Sequence, residues 1–180
     1  MAKLHLVRHG PVNVDRSIPG AEWQLSPIAK KAIEAVVSKV SPVPTRIVSS
    51  PEPKALGTAE VLARQFDLPV EVRDGLEEHH RSTAQFIEDP DDFRRTIQHL
   101  FADPTTIIYG SESAEMALDR FQSTVHAIMS ERAEDCLIVS HGTVLSLYLG
   151  GFGCQGFELW SNLQLPDLRT VSWPRIERNS

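Results

Sequence analysis

Two short segments far apart in the chain hold residues that could do chemistry together. Near the amino terminus the apolar run Leu4-His5-Leu6-Val7 leads into Arg8-His9-Gly10, and about 130 residues later Cys136-Leu137-Ile138-Val139-Ser140 leads into His141-Gly142-Thr143. Arginine offers a planar fork of donors suited to phosphate, and its charge does not titrate away near neutrality. A neutral histidine beside it can act as a nitrogen nucleophile. Gly10 would let the backbone come close to a bound anion. Gly142 and Thr143 open an expected helix behind His141, and helix N-termini favour negative charge. A cluster of Arg8, His141 and a further cation would hold His9 unprotonated, because like charges disfavour an imidazolium. The chemistry implied is that of a phosphate pocket with its own nucleophile.

Such a site forms only if the elements carrying these residues end side by side. Leu4–Val7, Arg46–Ser50 and Cys136–Ser140 read as strands, with Val70–Arg73 as a strand with one wet face and Leu168–Trp173 as a last strand. Between them lie helical patterns. Ser26 and Pro27 supply a cap and a first-turn proline for a helix through Val40, and Ala55, Ala59, Leu62 and Phe66 share one face of the next. Residues 83–101 read as helix in two pieces broken at Asp89-Pro90, residues 112–132 as a long helix with Leu118, Phe121, Val125 and Ile128 buried, and 144–149 as another. Strands alternating with helices predict an α/β fold, a three-layer sandwich with a largely parallel central sheet and helices on both faces. Open sheets of this kind bind ligands beyond the carboxyl ends of their strands. Parallel strands would bring Arg8-His9-Gly10, Ser49-Ser50 and Ser140-His141-Gly142 to one edge.

Composition narrows the function classes. The chain has 180 residues, 41% apolar and 23% charged, so the expectation is one domain over 1–180, with a helical lid insertion at about 80–110. Its formal charge is −6, and no basic stripe appears, which argues against a nucleic-acid partner. The opening apolar run is too short for a signal peptide, and the stretch 137–153 is interrupted by His141 and several glycines, so no membrane span is expected. Cys136 and Cys154 have no CxxC spacing, which points away from a disulfide framework or zinc site and towards a reducing cytoplasm. His79-His80 lie beside Glu77 and Glu78 without metal-ligand spacing, so no metal and no cofactor are expected.

The same residues resemble the signatures of the histidine phosphatase superfamily, the phosphoglycerate mutase-like proteins. Leu6-Val7-Arg8-His9-Gly10 is similar to its RHG motif, and the likeness continues through Ser49-Ser50-Pro51 with Thr58-Ala59, Leu76-Glu77-Glu78, Gly110-Ser111-Glu112-Ser113 with Arg120, and Val139-Ser140-His141-Gly142. RHG alone is a three-residue match; its combination with the late SHG is fairly specific. The resemblance implies that His9 is the nucleophile of a phosphohistidine intermediate. Arg8 and His141 would bind the phosphoryl oxygens, and the general acid would fall at Glu78, with Glu77 as the alternative. Such an acid must keep its proton near neutrality, so its pKa should be raised by burial.

Two positions depart from the family pattern. Lys54 stands where an arginine is usual, keeping the charge but losing the bidentate fork. Asp15 stands where an asparagine is often found, with Asn13 as a partial substitute, while Arg81 could reach in from the acid loop and bind substrate. Gly142 and Thr143 complete the expected phosphate ligands. Ser49 and Ser50 are expected to support the loop, and Glu112-Ser113 to cap the long helix.

The activity expected is cofactor-independent hydrolysis of a small phosphorylated metabolite. The alternatives are phosphoglycerate mutase-type transfer, for which this length leaves little room, a phosphohistidine protein phosphatase, and a weakly active phosphate-binding regulatory module. Arg81, Thr83 and the region to Tyr109 would set selectivity. Oligomeric state is open, with a homodimer as one option.

Overall fold

Alternate residues of three adjacent strands face opposite ways, and this alternation divides the protein into layers. The computed structural model describes residues 1–81 and 85–174. Its strands are β1 (Ala2–Arg8), β2 (Arg46–Ser49), β3 (Val70–Val72), β4 (Cys136–Ser140) and β5 (Asp167–Trp173). They form one sheet in the order β3-β2-β4-β1-β5, in which every neighbouring pair is parallel except β1 with β5.

Leu4, Leu6, Val48, Cys136 and Ile138 enter one core with α3 (Pro90–Ala102), α4 (Ala114–Glu131) and α5 (Gly142–Gly150). Val7, Ile47, Leu137 and Val139 enter the other with α1 (Ala29–Val37) and α2 (Pro53–Phe66). Each large apolar side chain so enclosed stabilises the fold by about 1.5–3 kcal/mol relative to exposure. The expected three-layer α/β architecture is therefore the one observed. The antiparallel edge strand β5 reaches its place through α6 (Gly153–Asn162), which the sequence reading does not contain.

Three local expectations are corrected. Ser26 does not cap α1 with its side chain: a turn at Pro27-Ile28 intervenes, the Ser26 carbonyl accepts the Ala29 N–H at 3.0 Å, and its hydroxyl is buried without a partner among the described residues. Residues 85–88 are not helical, and 83–84, Thr83 included, lie outside the described residues. Asp89-Pro90 begins a helix and does not break one, since the Asp89 carboxylate accepts the N–H groups of Asp91 and Asp92 at 2.8 and 3.0 Å with proline in the first turn. Ile97, Leu100 and Phe101 of that helix are fully buried in the first core, so α3 belongs to a core layer. Among the described residues no helix is long and apolar enough to cross a membrane.

Candidate active site

The sheet register brings the chemistry-bearing strand ends together. Arg8 pairs with Ser140 across β1 and β4, and Ser49 pairs with Val139 across β2 and β4. One step further, the His9 N–H donates to the Ser140 carbonyl and the Ser50 N–H to the Val139 carbonyl, both at 3.0 Å. Because β4 lies between β1 and β2, His9, Ser50 and His141 leave the sheet side by side. The two imidazole rings lie 5.3 Å apart, tilted by 58°.

His9 is fixed in one tautomer. Its Nδ1 lies 2.8 Å from the Gly10 carbonyl, which can only accept, so Nδ1 carries the hydrogen and Nε2 keeps its lone pair. Burial, then the proximity of His141, Lys54 and Arg8, lowers its pKa to about 3. His141 is likewise held well below the ordinary histidine value, first by burial and then by Lys54, with Arg81 and Arg8 adding to it. Both rings are therefore neutral near pH 7, and Nε2 of His9 is a free base.

The glycines serve packing as much as ligand approach. A Cβ on Gly142 would lie 3.0–3.2 Å from the Arg8 guanidinium, so the missing side chain leaves room for that arginine. Arg8 donates from Nη1 to the Leu163 carbonyl at 2.9 Å, while its buried Nε has no partner among the described residues. Gly10 is not the open approach expected for an anion. Its absent Cβ would meet Ile33 at 2.9 Å, and its N–H donates to Thr58 Oγ1 at 2.9 Å.

The acid loop differs most from expectation. Of the two candidate acids, Glu77 turns to the Gly75 N–H at 2.6 Å and towards Arg120 at 3.5 Å. Glu78 faces the histidines' side: its carboxylate accepts the N–H groups of His79, Thr143 and Val144 at 2.9, 3.1 and 3.3 Å, with Arg81 at 3.6 Å. Burial alone would raise its pKa, as the sequence reading expects. Arg81, His141 and the donated N–H groups outweigh burial and hold it well below the usual carboxylate range. The negative group on the N-terminus of α5 is thus Glu78, which occupies the Gly142-Thr143 turn expected to receive phosphate. Arg81 donates to Thr143 Oγ1 at 2.8 Å and lies over the rings of Phe93 and Tyr109 at 5.6 and 5.9 Å.

Lys54 is buried and points inward, but it is already engaged. Its ammonium contacts the Glu52 carboxylate and donates to the Gly20 carbonyl at 2.7 Å. Asn13 is exposed, and its N–H donates to the Gln24 carbonyl at 2.9 Å, which ties it to its own loop. Asp15 likewise shapes that loop, accepting from Ser17 and from Trp23 Nε1. His79 is buried and donates from Nε2 to the Glu112 carbonyl at 2.6 Å. Among the described residues no group of three or more His, Cys, Asp or Glu could hold a metal ion.

Ser50, Glu112 and Arg120, all named from the sequence, make contacts that the sequence did not reveal. Ser50 Oγ lies 2.8 Å from His141 Nε2 and accepts the Glu52 N–H at 3.3 Å, so it supports the second histidine as well as the loop. Ser113 caps α4 as expected, but Glu112 grips Arg120 through two bonds of 2.9 Å and accepts the His80 N–H at 3.0 Å. Arg120 spends its remaining donors on the carbonyls of Gly75, Glu77 and Glu78 at 3.1, 3.1 and 3.2 Å. Two of the five guanidinium N–H groups thus hold Glu112, and the other three tie the acid loop to α4. The spacing from Glu112 to Arg120 was the available signal, but their partners are carbonyls that no pattern marks.

A family model described as the histidine phosphatase superfamily, branch 1, matches residues 4–180. The chain belongs to that superfamily. This histidine phosphatase matches no curated protein in sequence, but its fold is shared with known structures. A mycobacterial glucosyl-3-phosphoglycerate phosphatase is 19% identical with a TM-score of 0.67, covering 97% of this chain and 99% of that one. A phosphoserine phosphatase of Entamoeba histolytica, bound to phosphoserine, is 21% identical with a TM-score of 0.70, covering 94% of this chain and 90% of that one. Bacillus stearothermophilus YhfR is 20% identical with a TM-score of 0.70, covering 98% of each chain. At these identities the likeness is one of fold.

Proposed function

We propose that this histidine phosphatase hydrolyses small phosphomonoesters through a phosphohistidine on His9. The observation that carries the reading is the Gly10 carbonyl bonded to Nδ1 of a buried, neutral His9, which leaves Nε2 as a free lone pair within a cup of Arg8, Lys54 and His141. The phosphoryl group settles among those three, and Nε2 attacks phosphorus in line with the departing oxygen. Preorganised cations and donors then meet charge where it develops in the transition state.

Glu78 supplies the proton in this scheme. It is ionised in the free site, and a phosphoryl group arriving beside it is a like charge that raises its proton affinity. It takes up a proton as substrate binds and gives it to the leaving alkoxide as the P–O bond breaks and the P–N bond forms. Water then attacks phosphorus, the P–N bond breaks, and the Glu78 carboxylate accepts the water's proton. Arg81, 3.6 Å from Glu78, stands on the leaving-group side.

The test is a screen of sugar phosphates, nucleotides, phosphoglycerates, phosphoserine and a phosphohistidine peptide, followed by His9→Ala. Turnover and acid-labile labelling by substrate phosphate should both vanish in that variant. Undiminished turnover overturns the mechanism, and phosphate binding without turnover of any ester makes the protein a binding module.

A further inference from the structure

Glu52 belongs to no motif, yet it lies against Lys54 and His141, two of the groups expected to receive phosphate. It is 8% exposed, at the residue preceding α2. One carboxylate oxygen accepts the Glu78 N–H at 2.8 Å. The other contacts the Lys54 ammonium and lies 3.7 Å from His141 Nδ1, a buried ring nitrogen with no hydrogen-bond partner among the described residues. With the Gly20 carbonyl taking a second N–H, two of the three Lys54 donors are engaged. The charge that replaces the family's arginine is therefore neutralised from within the pocket. An incoming phosphoryl oxygen meets a carboxylate on the same ammonium and beside the same imidazole.

We infer that Glu52 is a built-in competitor for the phosphoryl group, a positioning residue that holds Lys54 while the pocket is empty and weakens retention of inorganic phosphate after each turnover. The inference rests on the phosphatase reading above and deepens it. The groups facing Glu52 are Lys54 in the first turn of α2, His141 ahead of α5, the Glu78 backbone in the acid loop and, through Lys54, the Gly20 carbonyl. Two like charges a few ångströms apart in a partly dry site repel strongly. A purely structural Glu52 and a competing Glu52 thus predict opposite signs for phosphate affinity when its charge is removed.

The experiment is calorimetric titration of inorganic phosphate into the full chain and into Glu52→Gln, with product inhibition by phosphate measured in parallel. Glu52→Gln should bind phosphate about tenfold or more tightly and be inhibited by it at correspondingly lower concentration. Adding Lys54→Met to that variant should abolish the gain. Should the glutamine variant not fold, Glu52→Thr, also uncharged, must shift affinity in the same direction. Equal or weaker phosphate binding by a folded, uncharged variant of an active enzyme overturns this inference alone. A wild-type chain that neither binds phosphate nor turns over an ester fails the phosphatase reading and this inference with it.

Discussion

The histidine pair and the acid loop reach one pocket by different means. Arg8, His9 and His141 inherit their positions from the sheet: the pairing of Arg8 with Ser140 and the bond from His9 N–H to the Ser140 carbonyl fix where the side chains start. Glu78 has no strand beneath it. Its loop is held by three hydrogen bonds from Arg120, and its carboxylate by three backbone N–H groups and the nearby Arg81. Backbone ladders position a residue without regard to its neighbours' side chains, whereas a loop depends on particular ones. Substitutions should therefore damage the two regions differently.

The largest effect lies at the strand ends. His9→Ala should abolish turnover while leaving the protein folded, because the ladder that places residue 9 is made of backbone groups; loss of the fold in that variant, seen by circular dichroism, would break the comparison. At the acid loop, Glu78→Gln should lower kcat by about 10²–10⁴-fold for alkyl phosphates. It should have far less effect on an aryl phosphate whose leaving oxygen needs no proton, and equal losses on both would remove Glu78 from the acid's role.

Arg120→Leu tests the clamp itself. Leaving Glu112 and three carbonyls without their donor should cost on the order of 3 kcal/mol in urea unfolding. Its affinity for inorganic phosphate should change by less than about threefold, since the strand-end cluster is built separately. Lys54→Arg should have the smallest effect, below about threefold on phosphate affinity, because Glu52 can take an arginine's fork as readily as an ammonium. A rise of about tenfold would show that the charge at position 54 is not neutralised.

The pH dependence of stability sharpens the same contrast. His9 has its pKa lowered from 6.5 to about 3 in the folded protein. Between those values the unfolded chain holds a proton that the folded one does not, so stability falls as pH falls through that window, by about 1.4 kcal/mol per unit. In His9→Gln the slope should be shallower by one proton, read from urea unfolding between pH 4 and 7. An unchanged slope would mean that His9 is not buried neutral.

Legibility in the sequence follows the same division. β1, β2 and β4 were readable because short apolar runs ending in polar residues need no partner to be recognised, and the parallel arrangement then placed both histidines. α6 was not, because Gly153 and Gly156 dilute a helical pattern that tertiary packing completes. The position of Glu78 was readable but its ionisation was not: burial acts on any enclosed carboxyl, whereas the Thr143 and Val144 N–H groups that oppose it belong to a helix 65 residues away. Lys54 was readable as an exchanged cation, but Glu52, two residues earlier, carried no signal until the fold set it against His141.

Both neighbours of β1 in the sheet, β4 and β5, are made only after β2, β3 and α1 to α4. On the ribosome the strand that leads into His9 must wait, unpaired, until β4 has been synthesised. A product cut short before residue 136 would carry Arg8, His9 and Lys54 but neither His141 nor the strand that brings them together, and so should be inert and not merely feeble.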